Sequence, residues 1–308
     1  MNKQKLNIVR SSAMASIIAL SIMTSCQKED SIEAETIDAA KNHIISKTND
    51  GETLHTFKLP GGKIANILED KEARYLEDDI IVSKADFNAV KIGAQNQTEP
   101  RLTRKGGYTR LWPGGVIYYT TATLAIHNAV QQAIAEMDPP TGIKHAGIKF
   151  VQISNPQPGQ NYIAFVPSGG YGSFSHIGMQ GGRQELAIAS HLNKYILIHE
   201  ILHALGFAHE HTRPDRGNYI NILWNNVDVN QYGQDILSNW YIHPNNIGKG
   251  EFDYNSVMLY GSYDFAKPYT VTMTRKDNGQ PLVNNWDHWS VYDRKYLREY
   301  YPKYPNQP

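Results

Sequence analysis

His199, Glu200, His203, Gly206 and His209 fall within the stretch 199–209 as H-E-x-x-H-x-x-G-x-x-H, a spacing that could hold one metal ion and activate water beside it. His199 and His203 are four residues apart, so on a helix both imidazoles lie on one face and can reach a common point. Glu200 follows the first histidine directly and stands where a carboxylate can take a proton from water. Gly206 can adopt the positive φ that ends a helix, which lets the chain turn and return His209 as a third ligand. Three neutral imidazoles with an open fourth position are the pattern of catalytic zinc, whereas structural zinc is closed by four protein ligands, often cysteines. The single cysteine, Cys26, lies far upstream, so a closed cysteine site cannot be built here. The bland alternative is a histidine-rich amphipathic helix with Ile201, Leu202 and Leu205 as its core, which leaves the histidine spacing and the glycine unexplained. His176, His191, His211 and His288 have no ligand-like spacing and read as surface or core polar residues.

The elements that must position these groups follow from periodicity and punctuation. Residues 116–121 alternate with β-branched and aromatic side chains and read as a strand, as do 148–153, 162–166 and 185–190. Leu124, Ala129, Val130, Ala133, Ile134 and Met137 recur at helical spacing, and Asp138-Pro139-Pro140 ends that helix. The stretch 167–182 is rich in Gly, Ser and Tyr and reads as a long loop, the histidine-bearing helix spans about 194–205, and a last helix lies near 291–300. Lys plus Arg and Asp plus Glu both number 30, so no basic surface for nucleic acid or anionic lipid is expected. No internal repeat or low-complexity tract is present, and the chain is expected to act as a monomer.

Beyond the metal motif the sequence resembles the astacin family of metzincin zinc peptidases. The family's G-F-x-H-E-x-x-R-x-D-R-D is matched by the run from Gly206 to Gly217, with Gly217 in place of the last aspartate. The segment from Tyr254 to Gly261 resembles Y-x-S-x-M-H-Y-G, with Leu259 where a histidine is usual. Leu111 to Tyr119 is similar to the opening W-x-x-G-x-I-x-Y, and Ser290, Asp293, Leu297 and Tyr300-Tyr301 to the closing pattern. The resemblance covers roughly 103–302.

It implies an α+β fold of two lobes. The N-terminal lobe would hold a mixed five-stranded sheet, a backing helix and the active-site helix; the C-terminal lobe would be irregular, and a pro-segment would precede both. It implies one catalytic zinc ion on His199, His203 and His209, with Tyr260 as a further ligand that swings away to stabilise the oxyanion. Glu200 becomes the general base on zinc-bound water, Met258 the apolar floor beneath the metal, and Glu210 a buried partner of the mature amino terminus. Glu185, Leu186, Ala187, Ile188, Ala189 and Ser190 become an edge strand pairing with the backbone of a protein or peptide substrate. Astacins usually carry two disulfides in this domain; with one cysteine none can form here, and a cysteine-switch form of latency is excluded. The competing reading from another class is a surface adhesin that keeps the fold without turnover, and its hallmark, loss of Glu200 or of a ligand, is missing.

Lys3, Lys5 and Arg10 precede an apolar run over 11–25 that is too short to span a bilayer, and Cys26 follows. This reads as a lipoprotein-type signal over 1–25 with lipid attached at Cys26, giving an exported, outer-membrane protein whose only membrane contact is that anchor. The run Gln27-Lys28-Glu29-Asp30 resembles an export signal toward the cell surface. Residues 26–102 read as pro-segment and linker, and 103–308 as the catalytic domain. Within Leu76-Glu77-Asp78-Asp79-Ile80, the nearest match to the family's F-x-G-D, Asp79 is the candidate to block the metal, with Asp78 replacing the glycine. Arg101, Arg104 and Lys105 offer a cleavage site that would release the mature domain from its anchor.

Overall fold

The computed structural model describes residues 36–38, 42–47, 52–58, 64–69, 75–77, 79–82, 84, 87–88, 91–92, 95, 111–139, 146–169, 172–190, 193–232, 234–240, 242, 250–283 and 286–302. Cys26, the signal, Asp78 and the candidate cleavage site lie outside them.

Helix α1 (Leu124–Met137) begins where the Thr123 side chain accepts a hydrogen bond from the Ile126 amide. It buries Ile126, Val130, Ala133 and Met137, a stripe at helical spacing, and stops before Pro139, which cannot donate to a further turn. Helix α2 (Lys194–Ala204) starts at Asn193, whose side chain accepts from the Tyr195 amide at 2.7 Å. Every residue from Leu197 to Ala204 in it is buried, so it is a core helix whose polar side chains have no water to face. Its end is held from two distant places. The Trp112 indole N–H donates to the Ala204 carbonyl at 2.9 Å, and the Tyr301 hydroxyl donates to the Leu205 carbonyl at 3.0 Å. Two carbonyls that a helix end leaves without intrahelical partners are thereby satisfied.

Beneath the helices lies the five-stranded mixed sheet that the resemblance implied. Strands β7 (Val116–Thr121), β8 (Lys149–Gln152), β9 (Tyr162–Pro167) and β11 (Arg183–Ile188) are parallel where they pair. Strand β10 (Phe174–Ser175) runs antiparallel to β11, with Phe174 opposite Ala187 and Ser175 opposite Leu186. It falls inside the stretch read as a loop from its glycines and serines. The sheet does not stop there. Strands β1 (Thr36–Asp38), β2 (His43–Lys47), β3 (Thr53–Lys58), β4 (Ile64–Glu69), β5 (Tyr75–Glu77) and β6 (Ile80–Val82) form an antiparallel meander. Strand β6 then pairs in parallel with β10, giving the order β1-β2-β3-β4-β5-β6-β10-β11-β9-β7-β8. The sequence reading assigned no strands to this N-terminal segment.

Two large apolar cores form among the described residues, beside a small cluster of Ile81, Phe174 and Ala187. One joins Ile117, Val130, Phe165, Ile198, Leu202 and Leu297 between the sheet, α1, α2 and the last helix, α3 (Val291–Tyr300). The other gathers Ile220, Val227, Trp240, Phe252, Tyr260 and Met273 among loops, with one short pair, β12 (Ile220–Ile222) and β13 (Met273–Arg275). No internal disulfide holds either, since the chain has one cysteine.

Trp112→Phe keeps an aromatic ring but leaves the Ala204 carbonyl without its donor. It is expected to lower stability by about 1–3 kcal/mol, read as a fall in Tm by calorimetry; an unchanged Tm would contradict this account of the helix end.

Candidate metal centre

Because α2 places His199 and His203 one turn apart and Gly206 takes φ 113°, the chain doubles back and His209 comes against both. The Nε2 atoms of His203 and His199 are 3.1 Å apart, those of His203 and His209 3.2 Å, and those of His209 and His199 3.2 Å. The ring tautomers follow from the opposite edges. His199 Nδ1 lies 2.8 Å from the Val257 carbonyl and His203 Nδ1 2.7 Å from the Phe207 carbonyl. A carbonyl oxygen only accepts, so these two Nδ1 atoms carry the protons and the Nε2 lone pairs point inward. Burial pushes His203 down to about 4, so its imidazole is neutral near pH 7.

Asp79 closes the cluster from the N-terminal segment. Its Oδ2 lies 3.2 Å from Nε2 of both His199 and His209, and its Oδ1 3.5 Å from Nε2 of His203. These four residues are the group among the described residues able to share one metal ion. Inward lone pairs at van der Waals distance and a carboxylate aimed at them repel unless a cation lies between, and three imidazole nitrogens with one oxygen are donors that zinc takes. The residues therefore fit one zinc ion.

Glu200 is buried, at 2 % exposure, one residue along α2 from the first histidine. Met258 is buried in the first core, and its carbonyl accepts from the Glu210 amide at 2.9 Å. The Tyr260 ring lies 4.9 Å from that of His209 and is buried in the second core. Glu210 is half-buried; its Oε1 accepts from Arg213 Nη1 and from the Asp253 amide, both at 2.8 Å. Burial pushes its carboxyl up to about 7 against the opposing charge of Arg213.

The strand expected to lie at the sheet edge does not do so here. Strand β11 is an inner strand, covered by β9 on one side and by β10 at Leu186 and Ala187 on the other. Ala189 and Ser190 lie past its end, where the Ala189 amide donates to the Ser173 hydroxyl at 3.1 Å. The outer side of β10 is occupied in turn: the Ser175 amide donates to the Asp79 carbonyl at 2.8 Å, and His176 Nδ1 donates to the Ile81 carbonyl at 2.9 Å. That brings Asp79 to the histidines. Two neighbours escaped the sequence reading. His211 is fully buried between the His209 ring, 5.0 Å away, and the Tyr260 ring, 4.2 Å away, and Trp286 stacks on His199 at 6.2 Å. Neither has ligand spacing to announce it.

Residues 105–302 match the family model for Astacin, a peptidase family, and the match spans well over half of the chain. The chain belongs to the astacin family. Among its relatives is Flavastacin of Elizabethkingia meningoseptica, 30 % identical over 265 residues, covering 83 % of this chain and 56 % of that protein. Zinc metalloproteinase nas-15 of Caenorhabditis elegans is 33 % identical over 176 residues, covering 56 % of this chain and 29 % of the relative. This astacin thus spans less than two thirds of the length of either. A solved structure, the hatching enzyme zinc-protease High choriolytic enzyme 1 from Oryzias latipes, superposes with a TM-score of 0.53 at 27 % identity, covering 63 % of this chain and 94 % of that one.

Zinc added to metal-stripped protein is expected to raise Tm, because a ligand held only by the folded state stabilises it by roughly 4 kcal/mol at a thousandfold excess over Kd. Differential scanning calorimetry with and without a chelator checks this, and His203→Ala should abolish the shift.

Proposed function

We propose that this astacin is a zinc-dependent endopeptidase that hydrolyses peptide bonds in proteins and is made as a latent precursor. The observation that carries the reading is the convergence of the His199, His203 and His209 Nε2 atoms, at 3.1–3.2 Å, with an Asp79 carboxylate oxygen directed into the same point. Zinc bound there supplies a Lewis acid that polarises a carbonyl and acidifies water. Glu200 then accepts a proton from the attacking water and returns it to the leaving amine nitrogen; its burial keeps that carboxylate from being screened by solvent. The Tyr260 hydroxyl donates to the oxyanion as charge develops. Retention of Glu200 and of all three histidines favours turnover over the adhesin reading.

Latency is assigned to Asp79. A carboxylate on the metal takes the position that water needs, and the backbone contacts of β6 to Ser175 and His176 support its placement. Loss of the N-terminal segment, by a cut near Arg101–Lys105, removes this block and frees the outer side of β10 for the extended backbone of a protein substrate. The mature amino terminus so created is proposed to reach half-buried Glu210. The sequence over 1–26 supports export and lipid attachment at Cys26, with the mature domain released from the anchor by the same cut.

Casein digestion by trypsin-processed protein tests the activity: Glu200→Gln is expected to lower kcat by about 100-fold or more while zinc stays bound. Cleavage by the Glu200→Gln protein at the wild-type rate would refute its role. Unprocessed Asp79→Ala is expected to digest casein at least about tenfold faster than the unprocessed wild type, the equivalent of ~1.4 kcal/mol of blocking. Equal rates would remove Asp79 from latency.

A further inference from the structure

His199 presents Nε2 to its neighbours because its Nδ1–H donates to the Val257 carbonyl at 2.8 Å. Val257 lies in neither helix nor strand, so no ladder fixes that carbonyl. What fixes it is the peptide unit it belongs to. A peptide is planar, so the Val257 carbonyl and the Met258 N–H turn together. The Met258 N–H donates to the Ser256 hydroxyl oxygen at 3.0 Å, and the Ser256 hydroxyl donates to Asp293 Oδ1 at 2.6 Å. Asp293 Oδ2 accepts from the Val257 amide at 3.0 Å. The chain of donors thus runs from the His199 ring through one rigid peptide and one hydroxyl to a carboxylate on α3, and its members are all buried.

The same carboxylate also caps α3. Ser290 N–H donates to Asp293 Oδ2 at 2.8 Å, and Asp293 N–H donates to the Ser290 hydroxyl at 2.8 Å, a reciprocal capping box. A capping box needs only this exchange. The two further contacts, to residues 256 and 257, belong to the loop under the metal centre and are not required for the helix to start. Donors in series polarise one another, so the carboxylate also makes the Val257 carbonyl a stronger acceptor for His199.

We propose that Asp293 is a positioning residue of the metal centre: through Ser256 and the 257–258 peptide it sets the orientation of His199 and, with it, the affinity for the metal. The proposal rests on the zinc site assigned above. An amide cannot accept at both positions, so Asp293→Asn turns one terminal group toward a donor with a donor of its own.

The test measures zinc dissociation constants of full-length variants by competition with a chromophoric chelator, together with visible spectra of their cobalt forms. Asp293→Asn is expected to weaken zinc binding by about tenfold or more, the usual effect of removing a group that orients a ligand, and to shift the cobalt bands. Ser256→Ala, which leaves the capping exchange intact, moves both readings in the same direction. Ser290→Ala breaks the cap, lowers Tm and leaves metal affinity unchanged. Wild-type affinity and spectrum in folded Asp293→Asn would overturn the proposal, as would a Ser290→Ala effect equal to that of Asp293→Asn. Should Asp293→Asn fail to fold, Ser256→Ala decides alone, and wild-type affinity there overturns it. A wild-type chain that takes up no zinc overturns the metal-site reading itself, which is seen without any variant.

Discussion

Three imidazole lone pairs directed at one another at 3.1–3.2 Å, inside a buried pocket, are what the remaining structure has to sustain. Electron pairs at that distance in a medium of low polarisability repel, and without a cation between them the rings would turn away. Other features of the fold keep them in place. The Val257 and Phe207 carbonyls take the protons on the far edges of His199 and His203. Gly206 supplies a backbone angle that returns His209, and α2 is packed on all sides so that its two histidines cannot tilt. The outer groups that hold the Val257 carbonyl belong to its own loop and to α3, not to the helix that carries the metal motif.

Much of this was legible in the chain. The strand at Val116–Thr121 and the helix at Leu124–Met137 were read to the residue, the helix because Asp138-Pro139-Pro140 ends it, and the last helix was placed near its observed span, Val291–Tyr300. The metal motif is local, so spacing alone brings its histidines together. The rest was obscured for identifiable reasons. A two-residue strand such as Phe174–Ser175 is too short to show a period, and glycines and serines around it spoke for a loop. Three of the six strands of the N-terminal meander are only three residues long, and the low aromatic content of the segment masked the rest. The carbonyls that orient His199 and His203 carry no side-chain identity at all. His211 became a neighbour of the centre only through the turn after Gly206.

Glu185 to Ser190, read two residues late at each end, illustrates how a strand assignment can carry a wrong neighbourhood. The alternation that marks a strand says which side chains share a face, and nothing about whether a further strand follows in the plane. Here the plane continues through β10 and six strands of the N-terminal segment. The seam between the two parts is narrow: β6 meets β10 through the pair Ile80 and Ser175. The seam is closed besides by the packing of Ile81 on Phe174 and Ala187.

The Trp112 indole and the Tyr301 hydroxyl meet at the same helix end, though 189 positions separate the two residues. During synthesis the histidine helix leaves the ribosome well before Tyr301 does, and before Asp293 and Ser290 as well. The three histidines are thus complete in the chain before the group that clasps the end of their helix at the Leu205 carbonyl.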